Sequence, residues 1–265
     1  MVENYAIRTS NLTKNFGSIA AVKKLNLKIP YGKTYGLLGP NGAGKTTTIR
    51  ILNGILSLSA GKAIVGGFDV QTQDKEVKKI CGFLPESPGL YSKLTAREFL
   101  EFIGELYYLP KNILEERINE LIELFNLAGR ENDLLEGYSR GMKQKVCLCA
   151  ALIQDPTIVF LDEPTSNLDP AAARMVKNLI SELAKKAEKT VFICTHLLDT
   201  AEELCDIIGI LYDGVLKMEG TPKEIIDSVG AKDLEDAYLK ITGASHIDDL
   251  LAWRENDSKK FKIEG

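Results

Sequence analysis

The run Gly39-Pro40-Asn41-Gly42-Ala43-Gly44-Lys45-Thr46 stands between the apolar segment Tyr35-Gly36-Leu37-Leu38 and a helix-like stretch. It matches G-x-x-x-x-G-K-[ST] in the context that gives the pattern its meaning, after a buried strand and at the opening of a helix. Glycines let successive backbone N–H groups converge on phosphate oxygens, and the helix that follows adds the positive end of its dipole. Lys45 suits the β- and γ-phosphates as a point charge, and the Thr46 hydroxyl is a natural Mg²⁺ ligand. A chain with this loop must build a sheet whose strand ends meet a helix N-terminus, which restricts it to the α/β class.

The rest of the chain is consistent with such a frame. Short β-rich pieces open it, at residues 5–12, 22–29 and 34–38, with turns at 15–17 and 30–32. They predict an antiparallel element feeding a buried strand. Strands are expected at 62–65, 82–84, 157–161 and 190–194, and helices at 142–153, from Pro170 and at 197–205. Strands that alternate with helices imply a parallel sheet. Between residues 95 and 127 the pattern is purely helical, with Leu94, Phe99, Phe102, Leu106, Ile118, Leu121, Ile122 and Phe125 at three-and-four spacing, so a helical insertion interrupts the sheet. Asp213-Gly214 between residues 207–212 and 215–219 is a hairpin signal. Two short helices follow Thr221, and the polar stretch 255–265 reads as a frayed tail.

Composition excludes several classes. With 265 residues, 45% of them apolar, the chain can bury a large core. A net charge of -4 supplies no positive field for nucleic-acid phosphates, so no nucleic-acid partner is expected. Cys81, Cys147, Cys149, Cys194 and Cys205 lack the spacing and histidine partners of a zinc site and read as buried, reduced thiols. No N-terminal stretch combines basic residues with an apolar core, and no apolar run is long enough to span a bilayer. If the protein acts on a membrane, another chain must cross it.

A second acidic constellation completes the phosphate site. The apolar run Thr157-Ile158-Val159-Phe160-Leu161 ends in Asp162-Glu163, at the sheet edge where a carboxylate can hold Mg²⁺ through water. Alone, such a pair more often caps a helix. Beside the glycine-rich cradle it reads as metal binding.

Four motifs in order decide among phosphate-binding machines. Asp162-Glu163-Pro164-Thr165-Ser166-Asn167-Leu168-Asp169 resembles the run shared by ABC ATPases, Ser139-Arg140-Gly141-Met142-Lys143-Gln144 resembles their signature, and Thr195-His196 falls where they place a switch histidine. The resemblance covers roughly residues 4 to 220. Phe83-Leu84-Pro85-Glu86-Ser87-Pro88-Gly89-Leu90-Tyr91, Leu94-Thr95, Glu203-Leu204-Cys205-Asp206 and residues 234–239 are similar to the bacterial branch serving drug, sodium, antibiotic and polysaccharide exporters.

The resemblance implies a P-loop ABC ATPase fold with a parallel core sheet, an N-terminal antiparallel β element and an inserted helical subdomain. It places a cassette at residues 1–220, with the insertion at about 87–155, and a C-terminal helical extension at 221–265. The implied activity is ATP hydrolysis with Mg²⁺. It drives transport, in the export direction, by a head-to-tail dimer with a second copy or homologous subunit docked on transmembrane permease subunits at the inner face of the cell membrane. Residues Gly39 through Thr47, including Thr46 and Thr47, would bind nucleotide, with Phe16 stacked on adenine and Ser139 and Gly141 reaching the other subunit's γ-phosphate. Glu163 would act on the attacking water, His196 on the γ-phosphate, and Lys45 as charge clamp; Thr46, Asp162 and Glu86 would face the metal.

Four positions depart from the family pattern. Glu86 stands in place of a glutamine, Tyr138 and Arg140 replace Leu and Gly of the signature, and Met142 replaces its Gln. His246, Lys23-Lys24 and Lys185-Lys186 read as ordinary surface. Two other classes fit less well. A soluble ABC ATPase would carry tandem cassettes or coiled-coil insertions, and a non-hydrolysing regulatory module would not need Glu163 and His196.

Overall fold

A computed structural model describes residues 5–87, 89–166, 168–185 and 189–243. Pro88, Asn167, Lys186, His246 and the tail at 255–265 lie outside the described residues. The chain opens with β1 (Tyr5–Phe16), β2 (Ile19–Leu25), β3 (Lys28–Pro30) and β4 (Thr34–Leu38), then α1 (Lys45–Leu52), β5 (Ala60–Val65), β6 (Phe68–Asp69), α2 (Asp74–Ile80) and β7 (Cys81–Leu84). The insertion holds α3 (Ala96–Leu106) and α4 (Lys111–Leu124), and α5 (Arg140–Leu152) returns to the sheet. The remainder is β8 (Ile158–Asp162), α6 (Pro170–Lys185), β9 (Thr190–Thr195), α7 (Leu198–Leu204), β10 (Ile207–Tyr212), β11 (Val215–Gly220), α8 (Pro222–Ser228) and α9 (Leu234–Thr242).

Two sheets result. The central one runs β11-β10-β4-β9-β8-β7 and is parallel except for β11. The second is antiparallel, in the order β2-β1-β5-β6 with β3 also on β1. Alternation along each central strand divides the core in two, since neighbouring side chains point to opposite faces. Ile158 and Phe160 of β8, with Phe192 and Cys194 of β9, join the antiparallel sheet and α1. Val159, Leu161, Val191 and Ile193 join the helical insertion, α5 and the C-terminal helices. Strands covered on both faces are apolar throughout, which is why they read as continuous runs.

Several expectations are corrected. β1 continues to Phe16, and the segment expected as one strand at 22–29 is two, β2 and β3, which lie along the same edge of β1 and are separated by a break in the ladder at Asn26-Leu27. β6 and α2 were not expected: two residues carry no period, and α2 is seven residues with three lysines. On α3 the large apolar side chains that are buried are Phe99 and Leu100, with Ala96 and Gly104 beside them, while Phe102 and Leu106 are exposed; the apolar stripe is wider than the core it serves. Asp213 and Gly214 both take positive φ, 50° and 75°, as the two-residue hairpin requires. All five cysteines are free and buried, and burial pushes the Cys147 and Cys205 thiols up to about 12. Among the described residues no helix is long and apolar enough to cross a membrane.

Candidate active site

The glycine-rich loop leaves the C-terminal end of β4 and enters α1 at Lys45. Gly44 has φ +105°, and a Cβ there would lie 2.4 Å from the carbonyl oxygen of Ala21, so only glycine lets the loop tuck beneath β2. Lys45 is 6% exposed. Its Nζ donates to the carbonyls of Gly39 at 2.7 Å and Pro40 at 3.2 Å, and stands 3.6 Å from Glu163 Oε1. The ammonium thus lies across the loop, with both backbone and carboxylate satisfying it.

β8 delivers Asp162 and Glu163 to the same sheet edge. Asp162 is 1% exposed, and neither carboxylate oxygen has a hydrogen-bond partner. Burial pushes its carboxyl up to about 6, against the lowering pull of Thr46, with the charges of Glu86 and Glu163 adding to the rise. A buried carboxylate without donors is unfavourable alone. Two unpartnered oxygens beside Thr46, at the start of α1, fit a hard cation that prefers oxygen ligands. Among the described residues no group of three or more His, Cys, Asp or Glu side chains forms a protein cage, so such an ion would need phosphate and water ligands as well, as Mg²⁺ commonly does.

Glu163 is held from three sides. Ser166 Oγ donates to Oε2 at 3.0 Å, Thr195 Oγ1 donates to Oε2 at 3.3 Å, and His196 Nδ1 meets Oε1 at 2.8 Å. Its backbone sits at φ +51°, sparsely populated for a side chain with Cβ, and its N–H donates to the Cys194 carbonyl at 2.9 Å. His196 itself is 43% exposed at the side chain, so the imidazole bridges a buried carboxylate and the surface. Ser166 and Thr195 lie inside recognised motifs, yet their work on Glu163 was not read from the sequence. Hydroxyls at a strand end have too many possible partners for spacing to choose one.

Glu86, on the loop after β7, lines a cleft of about 350 Å³ with Glu163, Ser166, Arg140, Lys143 and Gln144. Acids stand on the sheet side and cations on the α5 side. The Gln144 side chain donates to the Pro164 carbonyl at 3.2 Å, tying α5 to the acidic motif. Ser139 caps α5, accepting from the Met142 N–H at 3.3 Å, and is exposed together with Arg140. A Cβ at Gly141 would sit 3.6 Å from that of Ala172 and 4.0 Å from an oxygen of Asp169. Phe16, at the end of β1, is 48% exposed. The structure therefore gathers Lys45, Asp162, Glu163 and His196 into one centre, sets Glu86 at its margin, and leaves Phe16, Ser139 and Gly141 on separate surfaces.

The family model described as "ABC transporter" matches residues 22–166. An ABC transporter ATP-binding protein of Nostoc sp. is 39% identical over 84% of this chain and 68% of its own length. The bacitracin transport ATP-binding protein of Bacillus licheniformis is 38% identical, over 86% of this chain and 74% of its own. Among solved structures, a dimeric post-hydrolysis ATP-binding cassette bound to ADP and Pi superposes with a TM-score of 0.74 at 27% identity, covering 81% of this chain and 98% of that one.

Proposed function

The chain belongs to the ABC transporter family as an ATP-binding and ATP-hydrolysing subunit, and from that premise we propose how its residues divide the work. The subunit dimerises and drives transport through separate permease subunits. Export is the direction we assign, supported by the likeness to a bacitracin transport protein. The cassette occupies residues 1–220 with its helical subdomain at about 87–155 and the extension beyond, and the subunit works on the inner membrane face.

In this reading Gly39 through Thr47 cradle the phosphates, and Lys45 turns its ammonium from the loop carbonyls to the β- and γ-phosphates. Thr46 and Asp162 would hold Mg²⁺, with Glu86 near it. Bound there, the ion would neutralise phosphate charge and orient the leaving group. Glu163 accepts the proton of the attacking water, and its orientation is set by Ser166, Thr195 and His196. His196 also senses the γ-phosphate. The observation that carries the assignment is the Glu163 carboxylate, buried, triply held and 3.6 Å from the Lys45 ammonium. Ser139 and Gly141 complete the other subunit's site, and Phe16 receives the adenine.

An apolar groove of about 800 Å³ runs between α3 and the sheet, lined by Ile55, Phe83, Phe99, Leu106, Tyr107 and Tyr108 among others. Leu106, Ile55 and Tyr108 are exposed, a concentration of apolar surface that marks a docking face. We assign it, with the Glu86 loop, to the permease subunits. Phosphate release from the purified chain tests the whole reading. It should depend on Mg²⁺ and stop in Glu163→Gln; equal release from that variant would remove Glu163 from the chemistry.

A further inference from the structure

Lys14 is a buried cation that the hydrolytic machinery does not use. It lies on β1 two residues before Phe16 and is only 9% exposed. Among the described residues its Nζ donates to the Ser57 carbonyl at 2.7 Å, and it stands over the Phe16 ring, 5.0 Å from the centroid. Among the described residues no carboxylate is within ion-pair distance of it. Burying an ammonium with so few partners is costly, and an apolar chain of similar length would fill the space without that cost. The ring is the group that gains from the charge.

Ser57 belongs to the loop that follows α1, the helix that begins with Lys45. The same loop is pinned to β1 at neighbouring points: the Ser59 N–H donates to the Thr13 carbonyl at 2.8 Å, and Ser59 Oγ accepts from the Asn15 N–H at 3.0 Å. Lys14 is therefore the side chain that ties the ring to the loop behind the phosphate cradle. Nearly half of Phe16 remains exposed, leaving surface for a flat partner.

We infer that Lys14 is a positioning residue for the nucleotide base: it anchors the Phe16 ring at a fixed place relative to the cradle, so that a purine can stack there while its phosphates occupy Gly39 through Thr47. A cation over an aromatic ring also draws its π density, which favours stacking of an electron-rich purine on what remains open. The inference rests on the reading of Phe16 as the base contact, and the experiment separates the two.

Binding of MgATP and of Mg-tripolyphosphate, which has no base, is measured by calorimetry on the full chain and on Lys14→Met, Phe16→Ala and the double variant. Lys14→Met should weaken MgATP about three- to tenfold, the range of one partly desolvated cation–π contact, while tripolyphosphate affinity stays the same. In the Phe16→Ala background it should have no further effect, and Lys14→Arg should retain wild-type binding. Equal weakening of both ligands would make Lys14 a scaffold latch only and overturn the proposal. An unchanged loss in the Phe16→Ala background would do the same, since the ring would not be the intermediary. If Phe16→Ala weakens MgATP and Lys14→Met does not, Phe16 keeps its role and Lys14 loses its own; if Phe16→Ala binds MgATP normally, both readings fall. Should Lys14→Met fold poorly, Lys14→Gln keeps a donor for Ser57 without the charge and decides the same question.

Discussion

At the cradle, Lys45 is buried and its ammonium is bonded to two loop carbonyls beside Glu163. At the signature, Ser139 and Arg140 are exposed, and the Ser139 hydroxyl does no more than cap its own helix. One half of the nucleotide site is thus organised within a single chain, with the Lys45 ammonium already met by loop carbonyls and a carboxylate. The other half presents an exposed helix N-terminus, with the Asp169 carboxylate near its first turn. Such a terminus carries positive charge, and a cation at its first position, as Arg140 is, is mildly unfavourable unless an anion arrives. On the proposed assignment, the difference makes ATP affinity a property of the chain and turnover a property of the dimer.

The largest effect should come from the organised half. Lys45→Ala leaves a cavity beside the phosphates, and ATPase activity is expected to fall at least about a thousandfold with binding lost as well. Isothermal titration with MgATP checks it; near-native affinity would show that backbone amides alone make the cradle. Glu163→Gln should separate the two properties, keeping affinity while turnover drops by about a hundred- to a thousandfold. The amide retains hydrogen bonds to Ser166 and Thr195 but takes no proton. An ATP-bound dimer should then accumulate on size exclusion.

The signature half is tested by Gly141→Asp, expected to keep monomer ATP binding and lower hydrolysis by about a hundredfold, the scale of one misplaced transition-state contact. The new carboxylate would also stand near Asp169, so Gly141→Ala, whose Cβ has ordinary room, is the control and should stay active. Mixing Gly141→Asp with Lys45→Ala places both lesions in one site of the heterodimer and leaves the other intact. Activity above either parent is expected. Simple dilution across mixing ratios would show that the signature works within its own chain.

The smallest effect concerns Asp162. With its carboxyl raised to about 6, the folded ligand-free chain binds more protons than the unfolded chain between about pH 4 and 6, so stability falls as pH rises through that window. The loss is at most about 3 kcal/mol from this group. Thermal melts of wild type against Asp162→Asn should show the extra slope in wild type only, and MgATP should cancel it. Identical slopes would mean that Asp162 is solvated rather than buried and unpaired.

Much of the fold was legible because periodicity is local. Strands buried on both faces, the helical insertion and the Asp213-Gly214 hairpin follow from spacing within a dozen residues. β6 and α2 were not, being too short to carry a period. The Phe102 and Leu106 side chains looked like core because spacing reports a stripe, not what lies against it; only the packed helices show that both are exposed and that Leu106 lines the apolar groove.

For the site, the sequence alone determined which chemistry is present: a phosphate cradle, a strand-end acid pair, a histidine after the next strand and a signature in the right order. Those features are short motifs, and each needs only its own few residues. Tertiary structure decided which groups meet. Thr195 reaches Glu163 across 32 positions, Lys14 reaches Ser57 across 43, and Asp162 ends without a donor. Contacts between residues so far apart depend on how parallel strands register and how loops close around them, and side-chain spacing along the chain carries no record of that.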